Sequence, residues 1–247
     1  MASFVDYSDQ ANIFNPNEFT WPVYLIGCGG IGSVVSQTLL KMGVQEIHLY
    51  DDDVLEARNM LAEVSYSVYS VDFPKVEAVV ETAEFLCGSY QRLQDGVKIT
   101  GLADYNEVIL KSGQKIFIHE ERVNADTKLD GVVISGVDSM KSRKEIWEAV
   151  KNCLDAVPLY IDGRIGGESY QVLSLLPTDF EAVETYEGWL VDESEVAPLE
   201  CGARATAYIA MMIAGEIARD ITLFHRNLPV EIRLPQDLRP KNTEKGE

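Results

Sequence analysis

The sequence predicts an α/β fold: a Rossmann-like three-layer sandwich around a mostly parallel sheet, with antiparallel additions in the C-terminal half. Three observations carry this prediction. Short apolar runs alternate with segments of helical period, the pattern of strands joined by crossover helices. The first apolar run ends in the glycine-rich turn Gly27-Cys28-Gly29-Gly30-Ile31-Gly32, and a helical pattern follows at once. The second apolar run ends in three consecutive acids, Asp51, Asp52 and Asp53.

The elements follow in order. Residues 1–21 are polar, with Asn, Asp and Pro, and read as an N-terminal arm. Val23–Ile26 is a short apolar run bounded by glycine, which predicts a buried strand. Ile31, Val34, Val35, Leu39 and Met42 recur at helical spacing, and Gly43 stops that helix. Glu46–Tyr50 is the second strand. Asp72–Leu86 reads as a helix with Asp72 as N-cap and Pro74 in its first turn. Strands are expected at 97–102, 115–119 and 132–136, then a helix over 139–154. Leu159–Ile161 predicts a strand closed by a turn at 162–167, with Arg164 in that turn, and 170–176 is β-like. Residues 178–200 hold eight acids and no base, and predict a mobile loop or crossover. A long Ala-, Ile- and Met-rich helix is expected over 204–224, a last strand over 230–234, and a flexible tail over 235–247. No repeat or linker interrupts the pattern, so 22–234 reads as one domain.

Composition narrows the function. The chain has 247 residues, with 46% hydrophobic and 25% charged, ordinary globular values. Its formal charge is −19, from 21 basic and 40 acidic residues. Such a surface argues against nucleic acid and anionic membranes as partners. The four cysteines, Cys28, Cys87, Cys153 and Cys201, form no CxxC pair, so no zinc is expected. The N-terminus lacks a signal-peptide pattern. The apolar run at 207–215 is too short to span a bilayer. A cytoplasmic protein is expected.

The glycine turn is the chemical signal. Glycines at 27, 29, 30 and 32 allow a tight turn and a close approach of backbone to phosphate. The following helix offers N–H groups and a positive dipole end. Asp51 lies 19 residues after Gly32, at a strand end, where a carboxylate takes ribose hydroxyls. This spacing predicts a nucleotide and does not separate NAD from ATP. Lys75 opens a helix, where a cation opposes the dipole by about 0.3–1 kcal/mol, so a role with phosphate is expected for it. Asp138 follows an apolar strand and is a hard oxygen ligand suited to magnesium; it also directly precedes a helical run as an N-cap candidate, and the two roles do not exclude each other.

These residues together resemble the ThiF/HesA/MoeB family, relatives of ubiquitin-activating enzymes. The matching positions are Gly27, Gly29, Gly30 and Gly32, then Asp51 and Asp53, then Asn59, Lys75 and Asp138. A glycine-rich turn before a β segment, DGRIGGESYQVLSLLP, also matches, and the likeness covers about residues 22–224. The resemblance implies ATP and magnesium as cofactors and an acyl-adenylate as product. It implies a small ubiquitin-like or sulfur-carrier protein as partner, and a homodimer or heterodimer. Gly27–Gly32 would hold phosphates, Asp51 the ribose, Lys75 phosphate charge, and Asp138 the metal, with Asp53 and Asn59 beside the nucleotide.

The chain departs from that pattern in three places. The family follows its asparagine with Arg-Gln; here Asn59 is followed by Met60, Leu61, Ala62 and Glu63. The family also brings an arginine from an N-terminal segment to the partner's phosphates, whereas the first arginine here is Arg58. Arg164 is the candidate replacement, with Arg58 and Arg204 behind it. The zinc-binding CxxC pairs of several relatives are absent. Cys201, before the last long helix, is a candidate nucleophile, since a helix N-terminus favours thiolate. Two rivals follow. One is a catalytically deficient partner subunit of the same fold, favoured by the missing arginines. The other is an NAD-dependent oxidoreductase, which leaves Lys75, Asp138 and the acidic triple without a task.

Overall fold

The structure is a computed structural model that describes residues 5–61, 63, 65–98, 105–195 and 206–238. Its strands in chain order are β1 (Val23–Ile26), β2 (Glu46–Tyr50), β3 (Ser89–Gln94), β4 (Val97–Lys98), β5 (Glu107–Leu110), β6 (Lys115–His119), β7 (Val132–Ser135), β8 (Tyr160–Gly166), β9 (Ser169–Leu175) and β10 (Gln236–Asp237). The helices are α1 (Gly30–Met42), α2 (Lys75–Cys87), α3 (Met140–Lys151), α4 (Phe180–Glu187) and α5 (Ala207–His225). Among the described residues the strands form one sheet, ordered β10-β9-β8-β7-β1-β2-β6-β5-β3-β4.

The centre of that sheet is parallel: β8, β7, β1, β2 and β6 run the same way. Every residue of β1 and β7 is buried, as expected where helices cover both faces. On one face Val35 and Leu39 of α1, Val76 and Val79 of α2, and Ile213 and Ile217 of α5 join Leu25 and Leu49 in one core. On the other, Ile146 and Trp147 of α3 and Tyr186 of α4 join Tyr24, Val133 and Tyr160. This is the expected three-layer Rossmann-like class. The chain leaves β1 for β2 on one side and later returns to β7 on the other. The switch point lies at the end of β1, where open α/β sheets bind ligands.

Antiparallel additions occur at both edges. β9 and β10 extend the C-terminal side, and β5, β3 and β4 extend the side beyond β6, in the N-terminal half. β10 forms from residues in the expected tail, and residues 230–234 contribute only a bridge between Ile232 and Leu173. Phe14 and Phe19, from the expected arm, are buried against His225 at the end of α5.

Other elements differ from expectation for identifiable reasons. Asp72 is not an N-cap. It sits at φ +73° in a turn held by Asp72 N–H to Leu55 O, and α2 begins only at Lys75, after Pro74. The turn predicted at 162–167 is strand, because β8 continues to Gly166 and turns at Gly167, φ +63°. Gly163 serves packing there: a Cβ on it would lie 3.2 Å from Ile217 and 3.4 Å from Ile31. The acidic segment is not all loop. Asp179 caps α4 by accepting from the N–H groups of Glu181 and Ala182, and Tyr186 is buried while the acids face outward. Residues 196–200 lie outside the described residues. No helix among the described residues is long and apolar enough to cross a membrane.

Candidate functional site

The glycine turn stands at the switch point, and its geometry demands glycine. Gly27 has φ +92° and packs on the strand-end backbone of β7, where a Cβ would approach Gly136 O to 3.0 Å. A Cβ on Gly32 would stand 1.9 Å from Gly27 O, so the first turn of α1 lies directly on the loop. α1 begins at Gly30 with Gly29 as N-cap and no side-chain cap, leaving its dipole end facing the loop. Tyr66 braces the loop from outside, donating from its phenol to Cys28 O at 2.5 Å. Burial pushes the Cys28 thiol well up, which makes it an unreactive small residue.

Asp51 ties the end of β2 to this loop. Its carboxylate accepts from Cys28 N–H at 2.6 Å and from Asp53 N–H at 2.8 Å. Burial raises its pKa against the pull of the Cys28 N–H and Lys75. The ammonium of Lys75 lies 3.0 Å from Asp53 and 3.6 Å from Glu63. Burial works to lower the Lys75 pKa, but Asp51 and Glu63 outweigh it and leave it raised. These carboxylates explain a lysine at the first residue of a helix: local ion pairing exceeds the opposing dipole.

Glu63 is the unexpected member. Its side chain is 4% exposed. One oxygen sits 3.4 Å from where a Cβ on Gly29 would be, beside the loop. Among the described residues no hydrogen-bond partner reaches its other oxygen, which is buried. Burial pushes its carboxyl up to about 7, against Lys75, with Asp51 and Asp53 adding to the rise. The backbone of Asn59 holds it there, accepting from Glu63 N–H at 3.0 Å, while the Asn59 amide oxygen accepts from Glu56 N–H. Asn59 therefore shapes this loop from within.

The remaining predicted residues are dispersed. Asp138 is exposed and follows directly on Gly136 and Val137, which pack against Gly27. It is not the cap of α3: Ser139 accepts from Ser142 N–H at 3.1 Å, and the Asp138 carboxylate is left outside the cap. An exposed hard oxygen beside the glycine turn fits a magnesium ligand. The oxygens of Asp51, Asp52 and Asp53 lie within 4.8 Å of one another. Asp51 is taken up by the loop, Asp53 by Lys75, and Asp52 by Arg122 at 2.8 Å.

Arg164 lies on β8, not in a turn. It pairs with Asp162 at 2.8 Å and donates to Trp189 O at 3.0 Å. Asp162 is fully buried and also takes Arg143 at 3.0 Å. Arg143 donates further to Val137 O and Gly163 O, and so braces the strand end that carries Asp138. Arg58 pairs with Glu56 at 2.6 Å on the surface. Cys201 and Arg204 lie outside the described residues. Sequence reasoning missed the placement of Glu63 and the parts played by Tyr66, Arg143 and Asp162. Only Glu63 carried a signal, as an acid where the resembling pattern has glutamine.

The ThiF family model matches residues 19–229, and the chain belongs to that family. Ubiquitin-like modifier-activating enzyme 5 of Aedes aegypti is 27% identical over 126 residues, which are 50% of this chain and 29% of that protein. The Caenorhabditis elegans enzyme of the same name is 28% identical over 126 residues, 50% of this chain and 27% of that one. The chain thus spans less than a third of these relatives. Among solved structures, E. coli MccB with ATP superposes with a TM-score of 0.63 at 17% identity, covering 95% of this chain and 69% of that one. That likeness concerns the fold.

Proposed function

We propose that the chain activates a carboxylate by adenylylation with ATP, and that the carboxylate is the C-terminus of a small ubiquitin-like or sulfur-carrier protein, or of a peptide. The observation that carries this reading is the meeting of the glycine turn, Asp51 and Lys75 at the switch point. The ThiF membership and the name of the enzyme 5 relatives support the same chemistry. In this reading residues 22–234 are the ATP-binding domain. A substrate carboxylate oxygen attacks the α-phosphorus, the bond to the β-phosphate bridging oxygen breaks, and pyrophosphate leaves. No proton moves in that step. The need is for positive charge at the phosphates.

Loop N–H groups and the α1 N-terminus supply part of it, and Lys75 supplies a full charge. Asp51 takes the ribose hydroxyls, with Asp53 and Asn59 beside the nucleotide. Asp138 would hold magnesium, which supplies further charge to phosphate when bound. Cys201 is the candidate acceptor of the acyl group. A homodimer or heterodimer is the proposed assembly, and the cytoplasm the proposed location. The test is ATP–pyrophosphate exchange with small proteins ending in Gly-Gly. Exchange that needs such a protein and is lost in Lys75→Ala supports the reading. No exchange with any carboxylate donor, while ATP still binds, favours the second reading of a catalytically deficient partner subunit. The engagement of Arg164 by Asp162 is what favours that alternative.

A further inference from the structure

We propose that Glu63 is an internal anion in the phosphate cradle, and that a nucleotide phosphate settles beside Lys75 only as Glu63 takes up a proton. The inference rests on the reading that nucleotide binds at the glycine turn. Three observations carry it. Glu63 lies against the glycine loop, one oxygen within ordinary contact distance, 3.4 Å, of where a Cβ on Gly29 would stand. It reaches Lys75, the cation named for phosphate. Its second oxygen is buried with no hydrogen-bond partner among the described residues, an arrangement that serves no evident packing purpose and penalises the ionised form.

The groups facing Glu63 are Lys75 from α2, Asp51 and Asp53 from the end of β2, and Cys28 and Tyr66 from the loop and its brace. Lys75 is the one cation among these, facing three carboxylates. An arriving phosphate would add negative charge to a site already dominated by acids. The exchange balances simply. One proton from solvent joins the Glu63 carboxylate, the ion pair with Lys75 is given up, and the ammonium turns to phosphate. A carboxyl that titrates at about 7 takes that proton readily near neutrality.

The experiment is calorimetric titration with ATP and magnesium from about pH 6.5 to about 8.5, with buffers of different ionisation heat to count protons. For the unmodified chain, uptake of roughly 0.5–1 proton at about pH 7.5 is expected, with affinity falling up to about tenfold per pH unit above 7. Glu63→Gln should bind at least about tenfold tighter at about pH 8.5, with a flatter pH profile and no such uptake. The proton count on the unmodified chain stands even if the variant folds poorly. Binding without proton uptake, or an unchanged pH slope in Glu63→Gln, overturns the proposal and leaves adenylylation standing. No binding by either protein at any pH overturns both.

Discussion

Replacing Glu63 by glutamine should stabilise the fold, and by an amount that grows with pH. The carboxyl titrates at about 7 in the fold against an ordinary 4.5. One pH unit of difference corresponds to about 1.4 kcal/mol, so the ionised form costs the fold about 3 kcal/mol once the pH exceeds 7. The sign follows from proton counts. Below 4.5 both states hold the proton and no cost arises. Between 4.5 and 7 the unfolded chain releases it and the folded chain keeps it, so stability falls as pH rises. Glutamine keeps the shape of the neutral acid and cannot ionise, and Lys75 retains Asp53. Urea denaturation of both proteins should give a gain of about 1 kcal/mol at about pH 5 and about 3 kcal/mol at about pH 8. The melting point should rise by roughly 6–12 °C at the higher pH. An equal gain at both pH values, or a loss at about pH 8, would refute the claim that a charged acid is buried beside the loop.

Other perturbations have equally direct outcomes. Lys75→Ala leaves Asp51, Asp53 and Glu63 without their cation; calorimetry should show ATP–magnesium binding weakened by at least about tenfold. Gly32→Ala sets a methyl 1.9 Å from Gly27 O, so the loop must move. Thermal denaturation should register more than about 2 kcal/mol, and nucleotide binding should be lost. Arg143→Ala removes one of two guanidinium partners of the fully buried Asp162, and urea denaturation should show a loss of about 3 kcal/mol. His119 is held down to about 4 by burial and by His48. At this group the unfolded chain binds more protons, so its contribution to stability falls as pH drops from 6.5 towards 4, opposite in sign to that of Glu63, and His119→Gln should gain stability relative to the unmodified chain as pH falls through that window.

What could be read from the residues, and what could not, divides along a physical line. β1 and α1 are legible because a buried parallel strand is a continuous apolar run and Gly27 and Gly32 are forced by contact, and β2 is legible from Ile47, Leu49 and Tyr50 ahead of the acidic triple. β3 is not, since Ser89–Gln94 is mostly polar, one strand in from the end of the sheet, and has no continuous apolar run to show. In the sequence β8 looks shorter than it is, because Gly163 resembles a turn residue. Its glycine instead admits Ile213 and Ile217 of α5, and nothing near position 163 in the chain announces that. The site divides in the same way. Lys75 stood out because it opposes a helix dipole, a local property. The burial of Glu63 comes from its packing beside Gly29 and Lys75, both distant in sequence. The claim of Asp162 on Arg164 looks local, two residues apart, yet both side chains share one face only because the segment is strand and not turn.

The charges around the strand ends decide which cation the fold can release. Arg122 is held by Asp52, Arg143 and Arg164 by Asp162, and Lys75 by Asp53 and Glu63. Releasing Arg164 would strip a carboxylate of 0% exposure of one of its two guanidinium partners. That is a large penalty, because an uncompensated buried charge has no water to turn to. Lys75 is different. Its first partner, Asp53, has 58% of its side chain in solvent and is hydrated when left alone. Its second, Glu63, can be neutralised by a proton. The two acids that hold Lys75 are thus the ones that tolerate losing it, by opposite means. A phosphate therefore competes for Lys75 far more easily than for Arg164. One ammonium does not balance a triphosphate beside Asp51 and Asp53. On the proposed reading the rest of the charge would come from loop N–H groups, a metal at Asp138, or a cation from a second subunit, and the dependence of ATP affinity on magnesium and on protein concentration separates the last two.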